Sequence, residues 1–83
     1  MITLPKLLAL LDHVLSLNGR ALAFNRDTAL LGSVPELDSM AVVSILTALE
    51  EQYGFAADDD EIDGSTFASV GSLLDFVESK LAA

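Results

Sequence analysis

The sequence predicts an all-α fold, a small four-helix bundle of three long helices and one short one, with a long loop between the first and second long helices. Three observations carry this. The apolar spacing i, i+3, i+4, i+7 and i+11, the stripe that one face of a helix buries, occurs three times along the chain. Glycine, proline and short polar residues fall where helices with those stripes would start and stop. No segment alternates apolar and polar residues cleanly enough for a half-buried strand, and no internal repeat or low-complexity tract is present.

The first stripe is Leu4, Leu7, Leu8, Leu11 and Leu15. Pro5 falls in its first turn, where a missing backbone donor costs little, and Asn18-Gly19 supplies a left-handed stop. Residues 19–38 follow with Gly19, Gly32 and Pro35 and no helical period. A loop that long is uncommon in a compact domain and means either a wrong element assignment or a functional loop, and Leu22, Phe24, Leu30, Leu31, Val34 and Leu37 are expected to pin it to the core. The second stripe is Val42, Ile45, Leu46, Leu49 and Tyr53, with Asp38 or Ser39 as its cap and Gly54 as its stop. Ala56 to Ala68 is polar and acidic, anchored by Ile62 and Phe67, with room for one short helical turn. The third stripe, Val70, Leu73, Leu74, Val77 and Leu81, starts behind Ser69 as a cap. None of the caps has the full capping-box sequence.

At 83 residues the chain is expected to form one domain, residues 1–83, with a modest core and no deep active site of its own. Its net charge is -9, with 13 acidic side chains against Lys6, Arg20, Arg26 and Lys80. That field repels nucleic acid and anionic membrane surfaces and favours basic protein surfaces as partners. The longest apolar run, Leu7 to Leu11, is far below the roughly 18 residues a membrane span needs. Lys6, the leucines to Leu17 and Ala21-Leu22-Ala23 imitate a secretory signal, but Asp12, His13 and Arg20 interrupt it, so a cytoplasmic monomer is expected. Cysteine is absent, which removes disulfides, thiolate metal sites and any protein-borne thiol nucleophile.

Three constellations invite chemistry. Asp59, Glu61, Asp63 and Gly64 match the start of a calcium loop, but Val70 stands where its bidentate carboxylate should be, so a solvated acidic loop is the better reading and no metal site is expected. His13 is the only histidine and lies off the apolar stripe; no spacing joins it to Ser39 and an aspartate as a catalytic set. Phosphate-cradling glycine loops are absent, and no catalytic residue is assigned.

Ser39 is the third. Taken alone, Asp38-Ser39 before a helix reads as capping. The surrounding chain adds more. Leu37-Asp38-Ser39-Met40 resembles the Asp-Ser-Leu attachment motif of acyl and peptidyl carrier proteins, with Met in the third place. Ala48 to Phe55, reading ALEEQYGF, is similar to the Leu-Glu-Glu-x-Phe ending of that family's second helix. Asp27 to Gly32 resembles its loop before the attachment site, and Phe67 to Leu73 the start of its last helix. The resemblance runs from about Leu4 to Leu81.

The resemblance implies a fold of the acyl-carrier type and a carrier rather than an enzyme. It implies that Ser39 receives 4'-phosphopantetheine through a phosphodiester and that the arm's thiol holds an acyl or aminoacyl group as a thioester. The thiol that the chain lacks would thus arrive with the cofactor. It assigns Asp38 to recognition by a phosphopantetheinyl transferase, which would also bring the base that activates Ser39. An acyl- or aminoacyl-activating ligase would load the arm, and an acyltransferase, ketosynthase or condensation-type enzyme would consume the thioester.

Met40, Val43 and Thr47 form a second row on the middle helix, offset from the stripe. It reads either as part of a broad buried face or as a partner-binding surface edged by Glu50 and Glu51. Ala41 and Ser44 stand where carriers of general fatty-acid synthesis tend to have acids, which departs from that type, while Met40 after the serine and the Phe67-to-Leu73 segment lean toward carriers of polyketide, aminoacyl or nonribosomal-type pathways. The rival reading is an acidic helical protein-interaction module in which Ser39 is only a helix cap.

Overall fold

The computed structural model describes residues 2–32, 34, 37–57, 62 and 64–82. In chain order these form α1 (Leu4–Leu15), a 3-10 helix (Arg20–Ala23), α2 (Ser39–Tyr53) and α3 (Val70–Ala82). The fold is all-α as the sequence predicts, and the described residues contain only an isolated antiparallel bridge, Ala29 with Ser69.

The stripes become the core because their leucines, isoleucine and valines project from one side of each helix. Leu7, Leu8, Leu11 and Leu15 of α1, Ile45 and Leu49 of α2, and Val70, Leu73, Leu74 and Val77 of α3 are all buried in one cluster. Each such side chain contributes roughly 1.5–3 kcal/mol on leaving water. The stripe ends are less covered: Leu4, Val42, Leu46, Tyr53 and Leu81 pack against the cluster while half-exposed. Leu10, outside the predicted stripe, is buried.

The helix ends are built from the expected residue types, with local differences. Pro5 sits in the first turn of α1. That helix stops at a left-handed Ser16, two residues before Asn18-Gly19, which are themselves left-handed and turn the chain into the 3-10 helix. Asp12 organises this corner, its Oδ1 accepting from the amides of Gly19 at 2.8 Å and Ala21 at 3.2 Å. Gly54 closes α2 in the left-handed conformation, its amide bonded to the Glu50 carbonyl at 2.9 Å. Ser69 and Ser72 reproduce the two arms of a capping box with serine in both places. Ser72 donates its amide to Ser69 Oγ at 3.1 Å, and Ser69 donates its own to Ser72 Oγ at 3.0 Å.

The long loop is strapped to the front of α3. Leu30 and Leu31 donate to the carbonyls of Ala68 and Phe67, both at 3.0 Å, while Val70 and Gly71 donate to those of Thr28 and Arg26, both at 2.9 Å. The two segments at which the sequence resembles the carrier family on either side of Ser39 are therefore two edges of one ladder. Arg26 also pairs with Asp75 at 2.8 Å, a hydrogen bond that holds its guanidinium above the ordinary pKa. That pair lies in solvent, so it orients the strap more than it stabilises it.

The loop's pinning differs from expectation in part. Leu30, Val34 and Leu37 are buried and Phe24 packs on the core, but Leu22 is 62% and Leu31 47% exposed. The anchors at that corner are instead Leu17 and Ala21, because the 3-10 helix turns Ala21 inward against α1 and leaves Leu22 outside. The short helical element among the described residues is this 3-10 helix, inside the segment for which the sequence shows no helical period. Of the segment from Ala56 to Ala68, Phe67 is buried and residues 64–67 form turns.

Candidate functional site

α2 begins at Ser39, and its cap is the residue before. Asp38 is extended, and its Oδ1 accepts the Ala41 amide at 2.8 Å. This is the bond that an N-cap carboxylate makes, and it satisfies one of the amides the first turn leaves open. Ser39 is therefore not the cap, and the reading in which its hydroxyl serves only that purpose does not hold. Its side chain is exposed and makes no hydrogen bond among the described residues. The amides of Ser39 and Met40 likewise have no partner among the described residues, so the positive end of the helix dipole lies open beside the hydroxyl.

This arrangement suits a phosphodiester at Ser39. The oxygen that would be esterified has no hydrogen bond among the described residues, and an anion there would lie at the positive end of α2. Asp38 would oppose it by like charge; what the structure shows for Asp38 is the capping bond. With one carboxylate oxygen held by Ala41, Asp38 is poorly placed to take the Ser39 proton, and among the described residues no other carboxylate or imidazole bonds to Ser39. The described residues thus supply a nucleophile without a base.

Beside Ser39 opens a cavity of about 340 Å³ lined by Leu31, Asp38, Ser39, Val42, Ile62, Gly64 and Phe67. Its walls are apolar except at the Asp38-Ser39 rim. The strap builds one of these walls, because the Leu31 amide is held by the Phe67 carbonyl and both side chains face the same space.

On the other predicted surface, Met40 is 74% and Val43 60% exposed, and Thr47 is exposed with them. The row next to Ser39 is thus an outer face of α2, not an extension of the buried one. Glu51 is exposed at its far end. Glu50 behaves differently: half-buried, it accepts the Ala57 amide on Oε2 at 2.8 Å and so secures the chain after Gly54. His13 is exposed on α1, away from the lining around Ser39. Asp59, Glu61 and Asp63 of the calcium-loop reading lie outside the described residues. No cluster of potential metal ligands occurs among the described residues, and no helix there is long and apolar enough to cross a membrane.

The cap separates two roles that can be tested apart. Asp38→Asn retains a capping oxygen and is expected to keep stability within about 0.5 kcal/mol, whereas Asp38→Ala costs about 1 kcal/mol. If Asp38 also serves recognition, both variants slow modification of Ser39, and thermal melts with timed mass spectrometry read the two effects separately. Equal modification rates for Asp38→Asn and the parent chain would remove the recognition role.

Comparison with known proteins bears on the whole chain. The family model described as "phosphopantetheine attachment site" matches residues 5–77. The solution NMR structure of a holo acyl carrier protein from Nitrosomonas europaea superposes with a TM-score of 0.90 at 48% identity, covering 100% of both chains. No curated protein gives a significant sequence match.

Proposed function

The chain belongs to the phosphopantetheine attachment-site family, whose members are carriers rather than enzymes, and from that premise we propose that residues 1–83 form one carrier domain with its arm on Ser39. The observation that carries the assignment is the division of labour at the start of α2. Asp38 caps the helix, leaving the Ser39 hydroxyl exposed, without a hydrogen bond among the described residues and at the rim of an apolar cavity.

When bound, 4'-phosphopantetheine supplies the thiol on which an acyl or aminoacyl group is held as a thioester. The chain's own part is to hold and present it. Ser39 Oγ would carry the ester bond, the amides of Ser39 and Met40, without a partner among the described residues, would lie near the phosphate, and the base would come from the transferase. Leu31, Val42, Ile62 and Phe67 offer a short apolar cargo a place out of water. Asp38 contributes to transferase recognition. Met40, Val43 and Thr47 form the contact face for the loading ligase and for the acyltransferase, ketosynthase or condensation-type enzymes that use the thioester. Glu51 and the outer part of Glu50 edge that face and add charge steering from basic partners. The cytoplasm is the compartment that goes with such partners.

The pathway reading favours a specialised assembly line, polyketide, aminoacyl or nonribosomal in type. It rests on Met40 after the serine and on the Phe67-to-Leu73 segment, with the absence of acids in the first turn of α2 and at Ala41 and Ser44 as the departure from fatty-acid carriers. Ready loading of the modified chain by the malonyl transferase of general fatty-acid synthesis would contradict it.

The attachment itself is tested by co-expression with a broad-specificity phosphopantetheinyl transferase and intact-mass measurement. The expected result is one adduct on the parent chain and none on Ser39→Ala, with unchanged melting. No adduct on the parent, or an adduct that survives Ser39→Ala, overturns the assignment.

A further inference from the structure

We propose that the groove along the seam of α1 and α2 binds a small organic acid, one carboxylate on an apolar body. This site shares no lining residue with the cavity beside Ser39, and the inference stands independently of the carrier reading. The groove measures about 500 Å³, within the range of roughly 300–1,000 Å³ typical of small-ligand sites. Leu10 and Ala48 are among its apolar lining residues, Lys6 and His13 of α1 and Gln52 of α2 among its polar ones, and Tyr53 lines it with its hydroxyl buried.

Two independent features select a carboxylate. The first is Lys6. Arg26 pairs with Asp75, and Arg20 and Lys80 also have interaction partners, whereas Lys6 has none among the described residues. It sits in the first turn of α1, where the helix dipole disfavours a cation. In a chain of net charge -9, an ammonium without an ion-pair partner among the described residues, beside a groove, is a place where an anion meets attraction. The second is Tyr53, whose hydroxyl is buried without a hydrogen-bond partner. A phenol in that state needs an acceptor, and a carboxylate is acceptor only. His13, two helical turns from Lys6 on the same face, and the Gln52 amide add donors along the rim.

The surrounding charges limit which anion fits. Glu51, exposed and next to Gln52 in the chain, disfavours a multiply charged ligand. Asp12 has one oxygen engaged by the amides of Gly19 and Ala21. An aspartate or glutamate side chain from a partner would fill only part of the groove, so a monocarboxylate with an aliphatic or aromatic body matches it better. Reaching the Tyr53 hydroxyl calls for a rotamer change at the rim.

The test is a titration of the isotopically labelled 83-residue chain followed by amide chemical shifts, with sodium octanoate as probe and octanol and acetate as controls. Expected are saturable shifts at Leu10, His13, Ala48 and Tyr53 with octanoate, absent with acetate and much weaker with octanol. Combining Lys6→Met with His13→Gln weakens binding by about tenfold or more, the loss of one good charged contact. Tyr53→Phe weakens octanoate while the fold, judged by the remaining shifts and by melting, is kept. Shifts confined to the lining around Ser39, octanol binding as tightly as octanoate, or a double variant that binds like the parent would each overturn the proposal.

Discussion

Phe67→Ala is expected to remove about 3–5 kcal/mol of stability, the usual consequence of deleting a buried phenylalanine side chain. Phe67 is 2% exposed, and its neighbours are strapped by backbone hydrogen bonds, so little relaxation can refill the space. For a domain of this size each kcal/mol moves the midpoint by roughly 4–8 °C, so the variant should melt well over ten degrees lower, or be largely unfolded at room temperature. Circular dichroism melts check it. Phe67→Leu, closer in volume, is expected to cost less than half as much and to enlarge the cavity beside Ser39. A Phe67→Ala loss below about 1 kcal/mol would mean that the phenyl ring is not a structural element of the core.

Gly71→Ala is expected to cost about 1–3 kcal/mol, although alanine is the better helix former by up to about 1 kcal/mol. The two effects have opposite signs, and the contact decides between them. A β-carbon at Gly71 would come within 2.9 Å of the Arg26 carbonyl oxygen, the same oxygen that accepts the Gly71 amide. Backbone on both sides cannot rotate away like a side chain, so the strap must shift. Hydrogen exchange should then speed up at Leu30, Leu31, Val70 and Gly71 before it does at Ile45 or Leu49 of the core. A more stable Gly71→Ala chain would show that the strap yields without cost.

The bundle was legible from the sequence where one physical rule governs a whole segment. In α1 and α3 the spacing of apolar residues alone identifies the inward face, and Leu7, Leu11, Leu73 and Val77 obey it. α2 was legible only in its centre, Ile45 and Leu49, because it also presents Met40 and Val43 to solvent, and spacing cannot tell an apolar side chain for the core from one for the surface. Leu22 and Leu31 illustrate the same ambiguity in a loop. The 3-10 helix was illegible because its start depends on the Asp12 carboxylate, seven and nine residues upstream of the amides it receives. At the candidate site, Asp38 and Ser39 were legible as a pair, but which of them caps depends on backbone geometry, with Asp38 extended and Ser39 already helical. Glu50 reads as a surface acid until Ala57 folds back against it. The Tyr53 hydroxyl gives no signal at all, since burial without a partner is a property of the packed neighbours.

The placement of the cap one residue ahead of Ser39 has a consequence for the chain as a reusable device. A serine that capped its own helix would lose that bond when esterified, and each gain or removal of a group would loosen the start of the helix. Here the bond belongs to Asp38, so on the proposed carrier reading Ser39 could be esterified and released while the helix start keeps its hydrogen bond. The fold would on that reading be insulated from the turnover of its cargo.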